Sequence, residues 1–138
     1  MSVHLRPSTA LKLLSDIAQT CVREGEPDLS FRQLSVLLML YLNAPPHSVT
    51  GIAAKLKVSK PVITRALDHL AKIGLISRTR SAKDKRMLMI ARTTEGALFL
   101  DRLAYLTINI GENLPSGSAV FTPPIPLDEL DLERLTRE

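Results

Sequence analysis

Residues 47–76 read HSVTGIAAKLKVSKPVITRALDHLAKIGLI. Two helical patterns lie in this stretch, parted by the tripeptide KVS at 57–59. In the first, Ile52, Ala53 and Leu56 give a small apolar face, and Thr50 is placed to cap the helix. In the second, Ile63, Ala66, Leu67, Leu70 and Ile73 recur at three- and four-residue steps and share one face. Ser59 is placed to cap it, and Pro61 sits in its first turn, where a missing backbone N–H costs nothing. Gly74 is the expected stop. Pro61, Thr64, Arg65, Asp68 and Lys72 point away from the apolar face. Two short helices around a tight turn form a helix-turn-helix, whose second helix carries a polar, basic outer surface.

On the C-terminal side the period changes. LISRTR (75–80) and RMLMIA (86–91) are short strand-like runs joined by SAKDK, and they predict a β-hairpin with a long tip. Thr93 or Thr94 then caps a helix to about residue 110, in which Leu98, Phe99, Leu100, Leu103, Leu106, Ile108 and Ile110 cover most of the circumference. A helix this apolar needs more cover than one small domain supplies, so part of it is expected to meet another chain. On the N-terminal side, Leu11, Leu14, Ala18 and Cys21 set the stripe of a helix over 8–24. A second helix starts at LSFRQL, 29–34, where Ser30 and Gln33 have capping-box spacing and Leu29 and Leu34 that of a hydrophobic staple. Its run to Leu42 is apolar nearly all round and predicts the central core helix. The architecture expected is mainly α with a small β-hairpin, a winged helix-turn-helix.

The charge is unevenly placed. Between 55 and 92 there are eleven Lys and Arg against Asp68 and Asp84, a net +9 in a chain whose total is +4. Residues 123–138 carry five acids and two Arg, a net −3. Because the basic segment coincides with the outer face of the helix-turn-helix and the hairpin, it points to duplex DNA. A recognition helix would lie in the major groove, with Arg65 pairing to a base edge, Ser59 and Lys60 at phosphate, and Pro61 and Thr64 on the same contact surface. Arg78, Arg80, Lys83, Lys85 and Arg86 of the hairpin would reach the adjacent backbone or minor groove. Asp84 lies two residues before Arg86 and can orient its guanidinium through a charge-assisted hydrogen bond.

The same residues resemble the MarR family of bacterial transcription regulators. The core-helix pattern L-T/S-x-x-Q-x-x-V-L is met from Leu29 to Leu37, and V-S-x-x-x-V/I-T-R from Val58 to Arg65. G-L-I-x-R is met at Gly74–Arg78, D-x-R at Asp84–Arg86, and the Thr-x-x-Gly opening of the next helix at Thr93–Gly96. The resemblance covers residues 29–96, roughly half of the chain. It implies a homodimer, expected to act as a repressor, whose recognition helices enter successive major grooves of a palindromic operator. It also implies dimerisation through the first and the C-terminal helices, here with Leu11, Leu14, Leu103, Leu106 and Ile110. Arg86 would work at the wing with Asp84 holding it. Two departures stand out. Arg92 replaces the usual Leu at the end of the second strand, so that end is expected to pack differently or to contact phosphate. A Pro-bearing connector (111–126) and a short acidic segment (127–138) stand where the family has a long last helix. On this reading residues 1–110 form the domain, with 48–92 its DNA-binding core and helices 8–24 and 94–110 its dimerisation elements.

Other chemistry finds little support. No nucleophile and base are spaced for catalysis, and His4, His47 and His69 show no metal-ligand spacing with each other or with Cys21, so neither metal nor cofactor is expected. Cys21 lies on an apolar stripe and reads as a buried structural residue rather than a sensing thiol. A small-molecule effector is common in the family, but no residue here points to one. The longest apolar run, 34–42, falls short of a membrane span, and the N-terminus lacks a secretory pattern, so a cytoplasmic protein is expected. The alternative is a winged-helix interaction module, its basic surface docking an acidic partner or the chain's own acidic tail.

Overall fold

A computed structural model describes residues 5–80 and 88–114. The elements run α1 (Pro7–Glu24), α2 (Phe31–Leu42), α3 (Val49–Leu56), α4 (Lys60–Lys72), β1 (Ile76–Arg80), β2 (Leu88–Arg92) and α5 (Thr94–Glu112). Helix α2 starts as its sequence dictates. The Ser30 hydroxyl accepts from the Gln33 N–H at 3.1 Å, and the Gln33 side chain accepts from the Ser30 N–H at 2.9 Å. Two of the four orphan donors at this helix end are thereby satisfied. The core then forms where α2 meets α4: Val36, Leu37, Ile63, Leu67 and Leu70 are fully buried, and Leu40, Ile52, Ala53, Ala66, Leu75 and Ile76 complete the cluster. Four of the five apolar positions expected on α4 are in it; Ile73, at the helix end, is partly exposed.

The two helices of the helix-turn-helix close in the same way. At the end of α4 the Gly74 N–H bonds the Ala71 carbonyl at 3.1 Å and the Leu75 N–H bonds the Leu70 carbonyl at 3.0 Å. Gly74 takes φ +82°, and Leu70 and Leu75 are both buried beneath the turn, completing a Schellman motif. At the end of α3 the Lys57 N–H bonds Ala54 at 3.3 Å and the Val58 N–H bonds Ala53 at 3.0 Å. Here the left-handed position is held by Lys57, at φ 55°, rather than by glycine. The tight turn between α3 and α4 thus rests on a lysine in a conformation that most side chains disfavour.

The hairpin is antiparallel, with Ile76 opposite Arg92 and Arg80 opposite Leu88. Its second strand is described over Leu88–Arg92; Arg86 and Met87, which the sequence placed in the same strand, lie outside the described residues. The α3 cap also differs from expectation. Ser48, not Thr50, is the N-cap, and its hydroxyl accepts from the Gly51 N–H at 2.9 Å. The helix begins at Val49, which places Thr50 inside the first turn, where its hydroxyl cannot serve as the cap. Thr93 caps α5, accepting from the Gly96 N–H at 3.0 Å.

Helices α1 and α5 pack on each other and form a more open layer beside the core. No residue of α1 is buried, and in α5 only Gly96 is. Cys21, expected inside, is exposed, and so are Leu11, Leu14 and Ala18 of the same stripe; the half-buried apolar residues of α1 are Ala10, Leu13 and Ile17, on a neighbouring face. Val22, Leu98, Tyr105 and Ile108 are exposed as well. Between α1, α2 and α5 lies a cleft of about 80 Å³ lined by residues that include Leu29, Leu34, Phe99 and Leu103. Among the described residues no helix is long and apolar enough to cross a membrane. The predicted connector and acidic segment beyond residue 114 lie outside the described residues.

Candidate nucleic-acid interface

The outer face of α4 is built by the burial of its inner face. Anchoring Ile63, Ala66, Leu67 and Leu70 in the core turns Lys60, Pro61, Arg65, Asp68 and Lys72 to solvent and leaves Thr64 half-buried. Ser59 is the N-cap, as the sequence suggested, but its hydroxyl makes no capping bond. Ser59 and Lys60 are both exposed at this helix start. A helix start of this kind favours an anion such as a phosphate. Among the described residues Arg65 has no side-chain partner, so its five donors remain open to a ligand. Lys55 and Lys57, exposed on and just after α3, extend the basic surface.

The hairpin flanks this surface through contacts between α4 and β1. Arg78, expected to reach DNA, is ion-paired with Asp68 of α4. Arg80 ends β1, opposite Leu88. Lys83, Asp84, Lys85 and Arg86 lie outside the described residues. The structure thus brings Ser59, Lys60, Pro61, Thr64 and Arg65 onto one helix end and face, and it engages Arg78 with the protein itself.

A junction that the sequence reading missed sets the position of α4 and the hairpin against the core helix. Tyr41 of α2 donates its hydroxyl proton to the Leu75 carbonyl at 2.7 Å and accepts from the Thr93 N–H at 3.1 Å. The Thr93 hydroxyl donates to the Gly74 carbonyl at 2.7 Å while capping α5. The end of α4, both hairpin ends and the start of α5 are thereby tied to one side chain of α2. Gly96 makes room for it: a Cβ there would stand 2.0 Å from the Tyr41 hydroxyl oxygen and 2.2 Å from the Leu75 carbonyl oxygen. Arg92, the departure from the family pattern, joins the junction from outside. Its guanidinium donates to the Tyr41 carbonyl at 2.8 Å and lies 5.5 Å from the ring centroid. The strand end packs differently, as one of the two expectations had it. The sequence carried its parts separately, as Tyr41 near the end of α2 and the Thr93–Gly96 opening of α5, with nothing to join them.

Comparison with known proteins places this geometry. Residues 29–88 match the MarR family. Over 68 residues the chain is 41% identical to the HTH-type transcriptional repressor YetL of Bacillus subtilis (strain 168), an alignment covering 48% of this chain and 41% of that protein. The chain spans less than half the length of the curated relatives it matches. Among solved structures, the transcriptional repressor CouR bound to a 23-mer DNA duplex superposes with a TM-score of 0.59 at 34% identity, covering 75% of this chain and 70% of that one. The S. aureus MepR–DNA complex superposes with a TM-score of 0.61 at 22% identity, covering 72% of this chain and 79% of that one, a likeness of fold.

Proposed function

The chain belongs to the MarR family, and we propose that it is a sequence-specific, double-stranded-DNA-binding transcription regulator acting as a homodimer on a palindromic operator. One observation carries this reading. The outer face and N-terminal end of α4, the helix that would enter the major groove, are exposed, basic and unpartnered at Arg65, in a segment of net +9. Arg65 pairs with a base edge, where its fork suits guanine O6 and N7. Ser59, Lys60 and the helix start hold phosphate, and Pro61 and Thr64 complete the contact surface. Arg80, Lys83, Lys85 and Arg86 of the wing add phosphate or minor-groove contacts, with Asp84 orienting Arg86.

The dimer forms through α1 and α5. Leu11 and Leu14 are 46% and 51% exposed on one helix face, apolar area that a second copy would cover. Leu103, Leu106 and Ile110, half-buried on α5, are assigned to the same interface. Repression is the expected sign of regulation, in keeping with the repressors among its relatives. The interaction-module alternative finds no support in those relatives.

The test is selection of bound duplexes from a random-sequence pool with the full chain. This reading expects an inverted repeat whose half-sites are about 10–10.5 bp apart, the spacing of successive major grooves. Recovery of no shared sequence would refute it.

A further inference from the structure

Arg78 belongs, by sequence, with the wing cations, yet its side chain turns the other way. Along β1, Ile76 is buried, Ser77 and Thr79 are exposed, and Arg78 shares the inward face with Ile76. Its side chain is 24% exposed, and its guanidinium is ion-paired with the Asp68 carboxylate. Asp68 follows Thr64 and Arg65 by one turn of α4 and so stands on the same outward face. It is the one acid of the basic segment among the described residues. On a surface facing phosphates a carboxylate opposes binding. A pair whose acid is 61% exposed also adds little to stability. Neither nonspecific attraction nor folding accounts for Asp68.

We propose that Asp68 and Arg78 are positioning residues for DNA reading: the pair fixes the first strand of the wing to the recognition helix, so that both meet the duplex as one body, and Arg78 itself contacts no phosphate. The proposal rests on the DNA-binding reading above. It follows from geometry. The pair joins the middle of α4 to the middle of β1, three residues after Arg65 and two before the strand reaches the wing tip. Freed of Asp68, Arg78 would become one more loose cation, and the wing would lose its side-chain tie to the helix.

The two roles predict opposite signs. Fluorescence anisotropy would compare the full wild-type chain with Asp68→Ala, Arg78→Ala, Arg78→Lys and the Asp68→Ala/Arg78→Ala double variant. The probes are a labelled duplex selected from the random pool and a scrambled duplex of equal length. On the selected duplex each single variant is expected to bind about fivefold more weakly or worse, the scale of one impaired base contact. The double variant is expected to be no weaker than the worse single one, because either change removes the same tie. Arg78→Lys should behave as Arg78→Ala, since an ammonium does not reproduce the guanidinium fork. Asp68→Ala should at the same time hold or tighten binding to the scrambled duplex, having removed a negative charge. Urea midpoints are expected to stay at the wild-type value.

Tighter binding of both duplexes by Asp68→Ala, with an independent loss in Arg78→Ala, would make Arg78 a phosphate contact and overturn the proposal. Wild-type affinity in Arg78→Lys or in both alanine variants would do the same, as would a midpoint shift large enough to account for the lost affinity. A wild-type chain that does not distinguish the two duplexes would overturn the DNA-binding reading and this proposal with it.

Discussion

Gly96→Ala tests the junction that holds α4 in place. In an ordinary helix this change is favourable by about 1 kcal/mol, because alanine is the better helix former. Here the sign reverses. The new Cβ would lie 2.0 Å from the Tyr41 hydroxyl oxygen, 2.2 Å from the Leu75 carbonyl oxygen and 2.8 Å from the Tyr41 Cζ. Contacts of this kind are at rest near about 3.5–4 Å, so side chain and backbone must both retreat. The Leu75 oxygen is main chain and cannot swing aside, and Tyr41 can leave only by giving up its bonds to Leu75 and Thr93. Overpacking costs about 1–3 kcal/mol, and stranding a half-buried donor or acceptor adds about 1–3 kcal/mol more. Net of the propensity gain, Gly96→Ala should destabilise by about 1–5 kcal/mol, a large fraction of what a domain this size possesses. The assay is urea denaturation at fixed protein concentration, read as a lower midpoint at unchanged slope. Tyr41→Phe/Gly96→Ala should lose less than the two single changes summed, since removing the hydroxyl relieves the closest contact. It should still fall below Tyr41→Phe alone, because the Leu75 contact persists. Stability equal to wild type, or higher, in Gly96→Ala would refute the close-packed junction.

Three other outcomes are expected. Lys57→Gly should stabilise the fold by roughly 0.5–1 kcal/mol in urea, because glycine removes the left-handed penalty at φ 55° at some entropic cost; the same variant should bind duplex more weakly at low salt, having lost a cation from the basic surface. Ser48→Ala should cost about 1 kcal/mol, the worth of an N-cap, while Thr50→Ala stays within about 0.5 kcal/mol of wild type, and a reversed order would reinstate Thr50 as the cap. Leu11→Lys/Leu14→Lys should shift the chain from dimer to monomer in sedimentation equilibrium, with little effect on the α2–α4 core, and a persistent dimer would move the interface off α1.

Features with local causes were legible in the sequence. The capping box of α2, the apolar stripe of α4 and the Gly74 stop each follow from residues within one or two turns, and the structure bears each out. The outward placement of Lys60, Pro61 and Arg65 followed directly, since burying one face of a helix fixes the other. What escaped depends on distant contacts or on a choice between equals. Ser48 and Thr50 are both hydroxyl residues, and only the observed first turn selects between them. Tyr41 meets partners 34 and 52 residues away, which no periodicity encodes. Arg78 looked like one wing cation among several until strand alternation and the α4 face brought it to Asp68. The left-handed position of Lys57 had no glycine to announce it. Cys21 shared the fate of its stripe: helical spacing marked an apolar face on α1, but the half-buried face is the neighbouring one of Ala10, Leu13 and Ile17.

The most direct test of the proposed function is the affinity of the full wild-type chain and of Arg65→Ala for the selected duplex, for a duplex changed only at the base pair that Arg65 reads, and for the scrambled duplex. If α4 reads DNA through Arg65, the substitution should weaken binding to the selected duplex by about 1–3 kcal/mol and erase the difference between the first two. Binding to the scrambled duplex should fall only by the small share of one surface cation. An Arg65→Ala chain that binds the selected duplex as tightly as wild type, with its base preference intact, would contradict that role for α4.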